Sequence, residues 1–205
     1  MLKEEYLNHG EFMNSIRTSY PQCSHLLVVD FEATCGPGIP KGGIEIIEVG
    51  ALLCSFDLNT FEITELPTYH RLVKPQLHPK ITPFCTRLTG IRQKDVRKAP
   101  LFVDMIEEWK DFLKQNHCRP QDVVFGSWSK FDGKQIRLEC TRNQCDLPFA
   151  AYIDLQNMFK QTQQHKSVQS VKKALLSVEL EFDGQEHSAL SDARNTTRLV
   201  MHSNW

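Results

Sequence analysis

The stretch "HLLVVDFEATC", residues His25 to Cys35, decides how the chain is read. Leu26 to Phe31 has the apolar and β-branched character of a core strand, yet Asp30 and Glu32 stand where further apolar residues are expected. Residues two apart in a strand leave the same face, so both carboxylates point one way while Phe31 enters the other. Two such charges repel unless something positive lies between them. A divalent cation is the usual remedy, and oxygen ligands suit magnesium or manganese. A solvated strand end is the plain alternative, and the pair alone does not choose between the two.

The surroundings supply the rest of a sheet. "TCGPGIPKGG" stops the strand with two prolines and four glycines. The segments "IEIIEVGALLCSFD" and "FEITELPTYHRLVKP" then read as a second and third strand, with turn signals at Asp57 to Thr60, predicting an antiparallel meander. The period changes in "DMIEEWKDFLKQN", where Met105, Ile106, Trp109, Phe112 and Leu113 recur at helical spacing. A short strand follows from Val123 to Gly126, then a helix from Phe131 toward Arg142, the segment "YIDLQNMF", and a helix in "SVQSVKKALL". A last helix is predicted from about Ser188 to His202, with Ala189, Ala193, Thr196 and Val200 on one side. This order fits an α/β sandwich better than a barrel or a bundle. Residues 1–22 are expected to form a short helical or irregular extension, and 23–205 a single domain large enough for a core without staples.

Composition narrows the partners. With 40% hydrophobic and 24% charged residues and a net charge of -1, the chain has no basic coat, so a nucleic acid would be held by a local patch or by bound cations. The seven cysteines are scattered and form no CxxC pair, which predicts free thiols in a reducing compartment rather than a zinc site. No run of 18 apolar residues is present, so no membrane partner is expected and the plain expectation is a cytoplasmic protein.

Two later places bear on the paired acids. "GSWSKFD" puts Asp132 just beyond a strand that the apolar pattern makes central, and "GQEHSALSDARN" puts His187 and Asp192 at the last helix. On an ideal helix a separation of five turns the second side chain about 140° from the first, which predicts His187 on the preceding loop, folded back over the site. Local alternatives are a helix cap for Asp132, a surface loop residue for His187 and dipole compensation for Asp192.

Taken in order and spacing, "VVDFEATC", "EIIEVGALL", "LTGI", "SWSKFD" and "HSALSDARN" resemble the DEDDh branch of the DEDD (DnaQ-like) 3'-5' exonucleases. Within it the chain is most similar to the ERI-1-like exoribonucleases, the histone-mRNA 3' exonuclease group and its bacterial relatives. The resemblance covers roughly residues 24 to 203. It implies a ribonuclease H-like mixed β-sheet with three antiparallel first strands, flanked by helices. The implied activity uses two Mg2+ or Mn2+ ions to release nucleoside 5'-monophosphates from the free 3' end of single-stranded RNA. Action on short single-stranded DNA, or a non-catalytic nucleic-acid-binding protein that keeps the fold, are the alternatives.

The resemblance assigns Asp30 as the ligand bridging both ions, Glu32 and Asp192 as completing the first, Asp132 as binding the second directly or through water, and His187 as general base. One departure needs a decision. Many members carry the second-motif aspartate directly after the tryptophan, where this chain has Ser129. The variant "SWxxxD" followed by a cysteine, here Cys140, looks like the bacterial form, so the aspartate is assigned to Asp132. Ser188 and Ser191 replace residues often charged in relatives. For substrate contacts the candidates are Leu88 and Ile91 beneath the terminal base, Trp128 lining the pocket, and Lys130, Arg137, Lys134 and Lys41 along the backbone. Core packing is the competing reading for Leu88, Ile91 and Trp128, and solvated surface for the cations. Phe31 is expected to be structural.

Overall fold

The computed structural model describes residues 23–56, 63–163 and 167–202. The extension expected over 1–22 and the turn expected at Asp57 to Thr60 lie outside the described residues.

Among the described residues, five strands form one sheet: β1 (His25–Ala33), β2 (Ile46–Phe56), β3 (Ile63–Leu72), β4 (Val123–Ser127) and β5 (Ala151–Asp154), in the order β3-β2-β1-β4-β5. The β3-β2-β1 pairs are antiparallel, as the meander predicts, whereas β4 and β5 add on in parallel. The helices are α1 (Pro83–Thr89), α2 (Gln93–Val96), α3 (Phe102–Gln115), α4 (Lys130–Asn143), α5 (Leu155–Thr162), α6 (Val171–Ser177) and α7 (Ala189–His202). None of them is long and apolar enough to cross a membrane.

The sheet separates two cores, and β1 feeds both by alternation. Leu27, Val29 and Phe31 enter the layer under α3 with Met105, Trp109 and Phe125, where Tyr69 stacks on Trp109 at 5.8 Å. Leu26 and Val28 enter the opposite layer with Leu155, Phe159, Leu175 and Leu199 from α5, α6 and α7. Burial of one such large side chain contributes about 1.5–3 kcal/mol, so the two layers anchor β1 from both sides. Asp30 and Glu32 continue the row begun by Leu26 and Val28. The acids therefore face α7, which packs across β1 and β2.

The predicted elements are observed with shifts of a few residues at their ends. β2 differs in character: every residue from Ile46 to Cys54 is buried, because helices cover both of its faces. β3 is mostly exposed and forms one edge.

Candidate active site

The site is assembled at the end of β1 from three elements. Carboxylate oxygens of Asp30 and Glu32 from the strand and Asp192 from α7 all lie within 4.8 Å of one another. α7 can come this close because Gly50, opposite Asp30 in the β1–β2 register, has no side chain: a Cβ there would stand 2.2 Å from the Ala189 carbonyl carbon. In the first turn of α7 the backbone N–H groups of His187 and Ser188 act on the Asp192 carboxylate against the effect of its burial. His187 itself sits on the loop before the helix, exposed, in a left-handed conformation with φ 61° that folds the chain over the site.

Asp132 approaches from α4. It is 3% exposed, and its Oδ1 accepts the Phe31 N–H, between the two acids of β1, at 3.1 Å. It is not the helix cap. That place belongs to Ser129, whose hydroxyl accepts the Phe131 N–H at 3.2 Å. Asp132 stands outside the tight trio yet lines the same cavity of about 280 Å³, together with Asp30, Glu32, His187 and Asp192.

Electrostatics mark the cavity as short of positive charge. Burial first, then the carboxylates of Asp132, Asp192, Glu32 and Glu48, holds Asp30 well above the usual carboxylate range. Burial, then Asp192, Glu48 and Asp132, pushes Glu32 up to about 8. Burial lifts Asp132 to about 7, against the opposing hydrogen bond from the Phe31 amide, and Asp192 to about 6. Among the described residues, the neighbouring charges that act most on Asp30 and Glu32 are negative. Clustered oxygen donors of this kind fit hard divalent cations, which remove the repulsion that otherwise keeps the acids protonated.

The expected substrate contacts fare unevenly. Ile91 is 6% exposed and packs with Ile47, Cys85 and Val96, so it is a core residue and not a platform for a base. The reason is local: Gly90, in the left-handed region at φ 79°, ends α1 and turns the chain inward after Leu88. Leu88 stays 38% exposed. Trp128 takes both readings, lining the cavity while its ring packs on Phe159 and its Nε1 donates to the Gln169 carbonyl at 2.8 Å. Lys41, Lys130, Lys134 and Arg137 are exposed, but none of them lines the cavity. The Arg137 guanidinium instead lies 5.7 Å from the centre of the Phe149 ring. Phe31 is buried edge-on against Trp109, as expected.

Several lining residues escaped the sequence reading, Phe131 and Lys172 among them. Phe131, 42% exposed, presents an aromatic face beside Asp132; its signal was a large apolar side chain on the polar side of a helix start. Lys172, from α6, brings a cation to the rim, paired with Glu186.

Comparison with known proteins agrees with this geometry. The chain is 35% identical over 195 residues to ERI1 exoribonuclease 2 of Danio rerio, covering 86% of this chain and 34% of that protein. It is 31% identical over 205 residues to the 3'-5' exonuclease eri1 of Schizosaccharomyces pombe, covering 86% of this chain and 66% of that one. The chain thus spans about a third of the length of the first of these relatives. Among solved structures, the nuclease domain of 3'hExo, described as a DEDDh family member bound to rAMP, superposes with a TM-score of 0.74 at 25% identity, covering 88% of this chain and 91% of that one. Residues 27–200, from β1 through most of α7, match the family described as Exonuclease (RNase T), and the chain belongs to that family.

Proposed function

We propose that the protein is a metal-dependent 3'-5' exoribonuclease that removes nucleoside 5'-monophosphates from the free 3' end of single-stranded RNA. The observation that carries the reading is the convergence of Asp30, Glu32 and Asp192 within 4.8 Å, in a cavity that Asp132 and His187 complete. RNA is favoured over DNA by the relatives named as exoribonucleases and by the solved relative bound to rAMP.

Asp30, Glu32 and Asp192 would hold one Mg2+ or Mn2+ ion, and Asp132 with Asp30 a second. Bound there, such cations would neutralise the scissile phosphate and lower the pKa of a water molecule, so that on losing a proton it can attack the phosphorus. The Phe31 amide fixes the Asp132 carboxylate in place before any ligand arrives. His187, on the open side of the cavity, would receive the proton of the attacking water on a ring nitrogen. Phe131 and Trp128 supply aromatic surface along the cavity, and Leu88 an exposed apolar residue on α1, for the unpaired bases of a single strand. With a net charge of -1, phosphate recognition falls to the cations and the rim Lys172. A reducing compartment, the cytoplasm, is the proposed place of work, supported by seven cysteines that are all free.

Chromatographic identification of the product tests this reading. Nucleoside 5'-monophosphates released in Mn2+ and abolished by EDTA are expected. Nucleoside 3'-monophosphates, or full activity in EDTA, contradict the mechanism.

A further inference from the structure

Glu48 is a buried carboxylate for which the cleavage chemistry has no use. It lies in β2 directly opposite Glu32, is 6% exposed, and is absent from the lining of the cavity. Both of its oxygens are engaged. Oε2 accepts the Ala189 N–H at 3.0 Å, and Oε1 lies 2.7 Å from His70 Nε2 on β3.

The first of these contacts matters for the site. Ala189 opens α7, and its N–H is one of the amides that a helix cannot satisfy from within. A carboxylate supplied by a neighbouring strand satisfies that amide and complements the positive end of the helix. Two residues farther along the same face of β2 comes Gly50, where strand and helix backbones touch. Gly50 sets how near α7 approaches; Glu48 sets where along the strand it begins. His70, which pairs with Gly50 in the β2–β3 register, holds the Glu48 carboxylate from its other side.

Asp192 follows within the first turn, its N–H bonded to the Ser188 carbonyl at 2.9 Å. A shift of the helix start therefore moves Asp192 relative to Asp30 and Glu32. The negative charge of Glu48 also works against those two acids, raising the proton affinity of both. An apolar residue would seat the helix without that repulsion, but it would offer no directional acceptor for the Ala189 amide.

We propose that Glu48, clamped between His70 and the first amide of α7, is a positioning residue that sets the divalent-metal affinity of the Asp30, Glu32 and Asp192 group. The inference rests on the reading of that group as a metal site, and the test separates the two.

Mn2+ binding to the full chain is measured by titration calorimetry, with circular dichroism and thermal melting to report the fold. Glu48→Ala should weaken Mn2+ binding by about 10- to 100-fold with native helix content, while Glu48→Gln, which keeps an oxygen for the Ala189 amide, stays within about threefold of wild type. Glu108→Ala, which breaks an exposed ion pair with Arg71 elsewhere on β3, should leave Mn2+ affinity unchanged. If Glu48→Ala does not fold, Glu48→Asp serves: drawing the carboxylate back by one methylene should weaken Mn2+ binding in a folded protein. Wild-type Mn2+ affinity in folded Glu48→Ala or Glu48→Asp overturns the proposal while leaving the metal site intact. Equal losses in Glu48→Gln and Glu48→Ala overturn it as well, since they assign the effect to charge and not to placement. Absence of Mn2+ binding in the wild type, or unaltered binding in Asp30→Asn, overturns the metal reading and this inference with it.

Discussion

Asp132 and Ser129 compete for one position of the second motif, and their side chains are committed to different tasks. Asp132 is buried in the cavity with its carboxylate on the Phe31 amide, whereas Ser129 caps α4. Asp132→Ala is therefore expected to lower turnover by at least about 100-fold, since it removes a proposed metal ligand. Ser129→Ala should cost about 0.5–2 kcal/mol of stability through the lost cap and leave turnover near wild type. Matched kinetics and melting curves check both, and the reverse pattern would move the motif to Ser129.

The same acids make stability depend on pH in a defined direction. Glu32 and Asp132 are raised to about 8 and about 7 from ordinary values of 4.5 and 3.8. Between those limits the metal-free folded protein holds protons that the unfolded chain has released. Unfolding then releases protons, so stability falls as pH rises from about 4 to about 8. A divalent cation displaces those protons and stabilises the folded state by mass action. The rise in Tm on adding Mn2+ should be larger at about pH 8 than at about pH 5.5. An equal rise at both, seen by scanning fluorimetry, would count against Mn2+ binding at these acids.

Among the elements, α1 and its exit show what periodicity conveys and what it hides. "LTGI" marks a functional segment through its resemblance, but only the left-handed Gly90 decides that Leu88 stays exposed and Ile91 turns into the core. Ile91→Ala should destabilise by about 2–5 kcal/mol, as for other buried aliphatics, with little change in KM once folded. Leu88→Ala should do the opposite, raising KM for RNA with Tm nearly unchanged; steady-state kinetics beside melting curves separate the two. The strands and long helices were legible because each carries its own hydrophobic period, and Asp30, Glu32, His187 and Asp192 because their spacing follows a family pattern. Glu48 lies within the quoted "EIIEVGALL" and Phe131 stands out as a large apolar residue at a helix start, but neither they nor Lys172 show in the sequence what they do at the site. Their relation to the site arises when β2, α4 and α6 are brought to the end of β1, through register and crossovers that no single segment encodes.

At the scale of the whole molecule, the even charge balance constrains how the proposed RNA substrate would be held. A net charge of -1 and a cavity rimmed by Lys172 leave few direct phosphate contacts. For single strands each contact adds about 0.7 to the salt slope, so log affinity should fall with log salt by no more than about two. A slope several times steeper in fluorescence anisotropy would reveal a basic surface that this account does not use. The parallel β4 and β5, added beside an antiparallel meander, place the start of α4 next to the acids of β1. That arrangement turns two charges at a strand end into a site with depth, open at one side for a chain terminus.

A time course on matched 5'-labelled RNA and DNA oligonucleotides, with Mn2+ or EDTA and with free or blocked 3' ends, tests the central claim most directly. The account predicts a ladder shortening one nucleotide at a time from the free 3' end of RNA, dependent on Mn2+, and absent for Asp30→Asn. Internal cuts, unimpeded decay of the blocked RNA, or undiminished activity in EDTA or in Asp30→Asn would contradict it.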